Sequence, residues 1–168
     1  MRKDLKLEKK LEIKNKNNPC FSCPIEQECC RKLKSLRLTK SEYLKHFAQF
    51  QEKITVQDYD ETCIVSSREG EPCPNWSGKK CAIYADRPVE CRIFPYTIGR
   101  INKKYNHVTI SYHKRTNCPQ KEVLTMPDKE LKKIILRFAN NAFGDKLTFK
   151  VKREGTLTKW LTTLKQFF

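Results

Sequence analysis

Apolar positions along this chain recur with two periods. From Pro127 to Phe143 the spacing of Leu131, Ile134, Ile135, Phe138 and Phe143 is helical, with Lys and Arg on the opposite side. Asp128 and Glu130 fall in the first turn, where the helix dipole favours acids, and Gly144 supplies the stop. A second helix is predicted where Thr39-Lys-Ser-Glu42 forms a capping-box signature ahead of Tyr43, Leu44, Phe47 and Phe50, all expected in the core. Residues 4–14 put Leu7, Leu11 and Ile13 loosely on one face, a short basic helix or frayed arm ended by Asn15-Lys-Asn-Asn-Pro19. The stretch from Thr156 to Phe168, with Leu157, Trp160, Leu161, Leu164 and Phe168, is expected to be a final helix.

Elsewhere the period is two. Thr62-Cys-Ile-Val-Ser66 predicts a short strand, with Gly70-Glu-Pro72 as the turn that follows. Tyr96–Ile101 and His107–Tyr112 alternate around Asn102-Lys-Lys-Tyr-Asn106, which predicts a hairpin with a five-residue polar loop. Leu147–Val151 is a further candidate strand. No internal repeat is visible. The fold expected is α+β: a small domain of short helices and a β-hairpin, which its nine cysteines would let a metal staple, followed by a C-terminal helical segment. The divisions are a basic arm at 1–18, a cysteine-bearing domain at 19–119, and the helical segment at 120–168.

Composition supports a folded middle with solvated ends. Apolar residues make up 38% and charged ones 32%, so the core is modest, yet aromatics at 10% argue against disorder throughout. Cross-links to a metal would supplement such a core. No run approaches the roughly 20 apolar residues of a membrane span. The N-terminus has no continuous apolar stretch of the kind a secretory signal carries, so a cytoplasmic, reducing setting is expected. The formal charge is +16 with every cysteine neutral. Two four-thiolate sites holding a +2 centre would reduce it to about +12, so the chain stays basic either way. A basic surface attracts nucleic acid, anionic lipid or acidic proteins without choosing between them.

Nine cysteines in a reducing compartment point to metal binding ahead of a disulfide framework. Cys20 and Cys23 have the C-x-x-C spacing that sets two sulfurs on one metal. Cys29 and Cys30 are adjacent, and successive side chains diverge on either a helix or a strand, so the pair suits two ions or two corners of separate clusters. Cys63 stands inside a β-like run and is expected to be a small buried hydrophobe. Without it eight remain: Cys20, Cys23, Cys29, Cys30, Cys73, Cys81, Cys91 and Cys118. Eight thiolates complete two four-coordinate sites, with Cys118 furthest from the motif cores.

The stretch Cys81-Ala-Ile-Tyr-Ala-Asp-Arg-Pro-Val-Glu-Cys-Arg-Ile-Phe-Pro95 is the densest in chemistry. Asp86 is expected to cap a short helix with Pro88 in its first turn, Cys91 on it and Pro95 ending it. Arg87 and Arg92 bracket that cysteine, where a guanidinium can stabilise a net-negative thiolate cluster. Tyr84, Phe94 and Trp76 are available as an apolar shell, or as ordinary core. His46, His107 and His113 are scattered and are expected to be surface or core residues, not ligands.

These residues resemble the YkgJ-like cysteine-cluster family, a zinc- or iron-chelating domain whose pattern is C-x-x-C, then C-C, a spaced cysteine, and C-x-I-Y-x-x-R-P-x-x-C-R-x-F/Y-P. The resemblance spans roughly residues 19–119 and is most specific from Cys81 to Pro95. The gap between Cys23 and Cys29 is longer than the family's usual one, and Cys73 is followed by Pro-Asn-Trp where the family has an apolar pair. The resemblance implies metal binding. A flagellin lysine N-methylase is similar across the same cysteine core, which would imply an enzyme using S-adenosylmethionine, but no glycine-rich cofactor loop and no catalytic residue is recognisable.

Three functions follow as expectations. The first is an iron–sulfur or zinc protein with a structural or electron-transfer role, working through an unidentified protein partner. Eight thiolates leave no open coordination position of the kind metal hydrolases keep for water. The second is a zinc-stabilised nucleic-acid binder, for which Lys103-Lys-Tyr-Asn-His107 and Tyr112-His-Lys-Arg115 interleave cations with aromatics. The third is the methylase-like enzyme. Iron–sulfur is favoured over zinc because the cysteines are flanked by arginines and aromatics.

Overall fold

The structure is a computed structural model that describes residues 31–78, 80–114 and 124–154. The expected N-terminal arm and final helix lie outside these residues, as do Cys20, Cys23, Cys29, Cys30 and Cys118. The fold is α+β, with two three-stranded sheets. Strands β1 (Leu36–Thr39), β2 (Ile54–Asp58) and β3 (Thr62–Ser67) form the first, in the order β1-β3-β2 and antiparallel throughout. Val65 is central, paired with Leu36 on one side and Val56 on the other. Helix α1 (Lys40–His46) follows β1 through the expected capping box: Thr39 accepts from the Glu42 N–H while Glu42 accepts from the Thr39 N–H. Phe47 enters the core as expected, but Leu44 is 66% exposed. The helix ends at His46, and Leu44 lies on its solvent side. The core of this sheet is Leu33, Leu36, Leu38, Phe47, Ile54, Cys63 and Val65, so Cys63 is the buried hydrophobe its setting predicted.

The second sheet has the order β4-β5-β6, from β4 (Tyr96–Lys104), β5 (His107–Lys114) and β6 (Thr148–Arg153). β4 and β5 are antiparallel, and β6 runs parallel to β5. The hairpin loop is shorter than expected. Pairing continues through Asn102↔Thr109, Lys103↔Val108 and Lys104↔His107, which leaves Tyr105 and Asn106 alone in the turn. Lys and Asn are poor strand formers in isolation, but β5 is held on its far side by β6, and the ladder carries them.

Helix α3 (Asp128–Phe143) covers one face of this sheet, burying Leu131, Ile135, Phe138 and Ala139 against Ile98, Val108, Ile110 and Tyr112. Each large apolar side chain so buried contributes about 1.5–3 kcal/mol. Gly144 takes a positive φ and its N–H caps the Asn140 carbonyl, the expected stop. Between the sheets sits α2 (Val89–Arg92), in contact with β1, β4 and α3. None of the described helices is long and apolar enough to cross a membrane.

Candidate metal centre

Cys73 and Cys81 are electrostatic neighbours of Cys91 because a tight chain reversal and a short helix meet near the core of the first sheet. The reversal spans 73–82. Trp76 N–H donates to the Cys73 carbonyl at 2.8 Å, Ser77 N–H to Lys80 O at 2.9 Å, and Ala82 N–H to Asn75 O at 2.8 Å. Trp76 and Cys81 form an isolated antiparallel bridge. Gly78, at φ 84°, makes the turn a backbone shape that only glycine adopts at no steric cost. Buried Asn75 then anchors the loop to α1, its side-chain amide donating to His46 O at 3.0 Å.

Cys91 arrives on α2, and both Cys91 and Cys73 pack against the core of the first sheet. Burial pushes the Cys91 thiol far above the usual thiol range, and the neighbouring Cys73, Glu90 and Cys81 push it in the same direction. Cys81 is likewise raised by burial, while a hydrogen bond from the Ile83 backbone and the charge of Arg87 act the other way. An amide aimed at a cysteine sulfur is what a thiolate ligand needs once it has lost its proton.

Arg87 is held in place beside these sulfurs. Its Nε donates to Tyr84 O at 3.0 Å, and its guanidinium lies 3.8 Å above the Tyr84 ring centroid. Its charge lowers the thiol pKa at both Cys81 and Cys91. Arg92 is exposed on the last turn of α2, and its charge is felt at Asp86. Tyr84 thus serves as the platform for Arg87. Trp76 spans the loop, its Nε1 buried with no hydrogen-bond partner among the described residues.

Asp86 does not cap α2. It ends a 3₁₀ turn at Tyr84–Asp86 and points to α1, with Lys45 Nζ at 2.5 Å and His46 Nε2 at 3.5 Å. The cap comes from 47 residues upstream: Glu42 Oε1 accepts the Val89 N–H at 2.7 Å. The next residue along α2, Glu90, is 4% exposed and accepts from three donors. Its Oε1 takes the Ile98 N–H at 2.9 Å and the Thr97 hydroxyl, and its Oε2 takes the Arg37 N–H. One carboxylate thereby ties β1, α2 and β4 together next to Cys91. Neither role was foreseen from the sequence, where Glu42 is a capping residue and Glu90 an unremarkable helix position.

His46 is buried under this assembly, whereas His107 and His113 are exposed on β5. Among the described residues no three His, Cys, Asp or Glu side chains are grouped closely enough to hold a metal ion. The three cysteines are electrostatic neighbours that lack the rest of their expected donor set, which lies outside the described residues. What is present fits a thiophilic metal. The donors are soft sulfurs, and the Ile83 amide at Cys81 together with the Arg87 guanidinium opposes protonation.

Residues 19–132 match the sequence model of the CxxCxxCC family, described as "Putative zinc- or iron-chelating domain". No curated protein and no solved structure matches the chain.

Proposed function

This chain belongs to the CxxCxxCC family of zinc- or iron-chelating domains, and from that premise we propose that it holds its metal through cysteine thiolates alone. The ligands are Cys73, Cys81 and Cys91 together with Cys20, Cys23, Cys29, Cys30 and Cys118. Residues 19–119 form the chelating unit, with 1–18 as a basic arm and 120–168 as the segment that supplies α3. What supports this reading is that Cys73 and Cys91 pack on the same core and that Cys73, Cys81 and Arg87 all lie close enough to act on the Cys91 thiol.

The chemistry such a centre supplies is either a zinc cross-link or the one-electron couple of an iron–sulfur cluster. The chain's own residues set its surroundings. Arg87 offsets the negative charge of the deprotonated sulfurs, and the Ile83 N–H holds Cys81 as an acceptor; Arg92, whose charge reaches Asp86, stands further out. Tyr84 carries Arg87 beside the sulfurs. Glu42 and Glu90 fix the helix that presents Cys91. The arginine and aromatic surroundings favour an iron–sulfur cluster. The role is structural or electron-transferring, exercised through a protein partner in the cytoplasm, where thiols stay reduced.

The test is the metal and acid-labile sulfide content of protein purified without oxygen, read with its visible spectrum. Iron and sulfide in equal amounts with brown colour is the expected result. Colourless protein with about two zinc ions would make the centre a cross-link. Protein that is folded and free of both metals would remove the proposal.

A further inference from the structure

The metal reading leaves unused the open face of the second sheet. On β5 the buried Val108, Ile110 and Tyr112 alternate with His107, Thr109, Ser111 and His113, so the latter four point away from α3. Strand register places Lys104 beside His107, Lys150 beside Thr109, and Lys152 beside Ser111, all on that same face. Lys150 and Lys152 are about 6.6 Å apart along β6. None of the three lysines has an ion-pair or hydrogen-bond partner among the described residues. Lys103, one position earlier and on the other face, is by contrast paired with Glu61. The acid at the margin of the open face is Glu154, already engaged by the Ser111 hydroxyl and His113.

A second observation lies at the hairpin tip, next to Lys104. Tyr105 is 88% exposed and adopts φ 50°. A bulky side chain in the left-handed region is strained, and glycine or asparagine would hold this turn at lower cost. The strain is locked in because the Thr148 N–H and hydroxyl both donate to Asn106 O at 2.9 Å. Fold stability explains neither the exposed ring nor its backbone.

Unpaired cations spread over a sheet, with an upright aromatic at its edge, are the two parts of a surface for single-stranded nucleic acid: charge for phosphates and a ring for an unstacked base. We propose that the open face of β4–β5–β6 binds the phosphodiester backbone of single-stranded nucleic acid, with Tyr105 stacking on a base. A duplex keeps its bases stacked and gives Tyr105 nothing to contact. The inference rests on the sheet alone and stands or falls apart from the metal.

The test uses the full metal-loaded chain and labelled single-stranded DNA and RNA of one sequence, followed by anisotropy over a range of salt. Three phosphate contacts predict a log–log salt slope of about −2. Lys104→Glu, Lys150→Glu and Lys152→Glu together are expected to weaken binding at least about tenfold and flatten the slope. Matched changes on the outer face of α3 (Lys129→Glu, Lys133→Glu, Arg137→Glu) are expected to leave most of the affinity. Tyr105→Gly is expected to weaken binding about tenfold without lowering the melting temperature. Equal losses from the two triple variants would reduce the effect to net charge and overturn the proposal. So would a sheet variant that is folded and binds like the parent, or a parent that binds phosphatidylserine vesicles but neither oligonucleotide.

Discussion

Glu42 Oε1 accepts the Val89 N–H at 2.7 Å, so the residue that closes the capping box of α1 also caps the helix that carries Cys91. One carboxylate sets the start of two helices. The position of a candidate ligand therefore depends on a side chain far from it in sequence. Replacing Glu42 with Ala should cost about 1–3 kcal/mol in chemical denaturation, since two backbone donors lose their acceptor. Metal content should fall with it. A variant as stable as the parent would show that water replaces the carboxylate at Val89.

Glu90 makes a stronger prediction because it is buried and has three donors around it. Glu90→Ala leaves the Ile98 and Arg37 amides and the Thr97 hydroxyl without their acceptor, and should destabilise the fold by about 3 kcal/mol or more. Glu90→Gln keeps the shape but turns a donor toward donors, and should recover only part of the loss. Urea titrations of the two variants check this. A loss below about 0.5 kcal/mol for Glu90→Ala would break the claim that this residue joins the sheets.

How far the sequence disclosed these features depended on their range. The α3 stripe was legible because Leu131, Ile135 and Phe138 satisfy a local period, and the Thr39–Glu42 box because it is complete within four residues. Cys63 stood out by its β-like neighbours. β1 and β2 are not legible although both alternate: Leu36–Thr39 and Ile54–Asp58 are runs of only four and five residues, and on β2 only Ile54 is buried. Proximity points to Asp86 as the cap of α2, but the Val89 N–H is met by Glu42 from another helix. The cysteine inventory was readable from spacing. That Cys73 and Cys81 reach the Cys91 thiol electrostatically depends on a turn and a tertiary anchor at Asn75 that no local pattern encodes.

Cysteine substitutions should separate core from centre. Cys63→Ala removes a small buried side chain and should lower stability by about 1 kcal/mol while leaving metal content unchanged. Cys91→Ser should lose metal out of proportion to any loss of stability. Elemental analysis of both purified variants is the check, and equal metal loss from the two would contradict the assignment of Cys63 to the core.

The Tyr112 hydroxyl donates to Asp128 Oδ1, fastening β5 to the first turn of α3. Burial and this bond push the Tyr112 pKa up to about 12. A group raised in the folded state stabilises the fold in full below its unfolded pKa of about 10, and that contribution disappears as pH rises toward 12. The phenolate titration should accordingly show one tyrosine ionising last, and Tyr112→Phe should remove this part of the alkaline destabilisation. A parent and variant with the same stability slope above pH 10 would contradict it.

The most direct measurement on the proposed centre is X-ray absorption at the metal edge of protein purified without oxygen. A purely cysteine-ligated site predicts a first shell of sulfur alone, at about 2.3 Å if the metal is zinc. The shell should change when Cys73, Cys81 or Cys91 is replaced by serine. A first shell dominated by nitrogen or oxygen, or one indifferent to those three substitutions, would contradict the account.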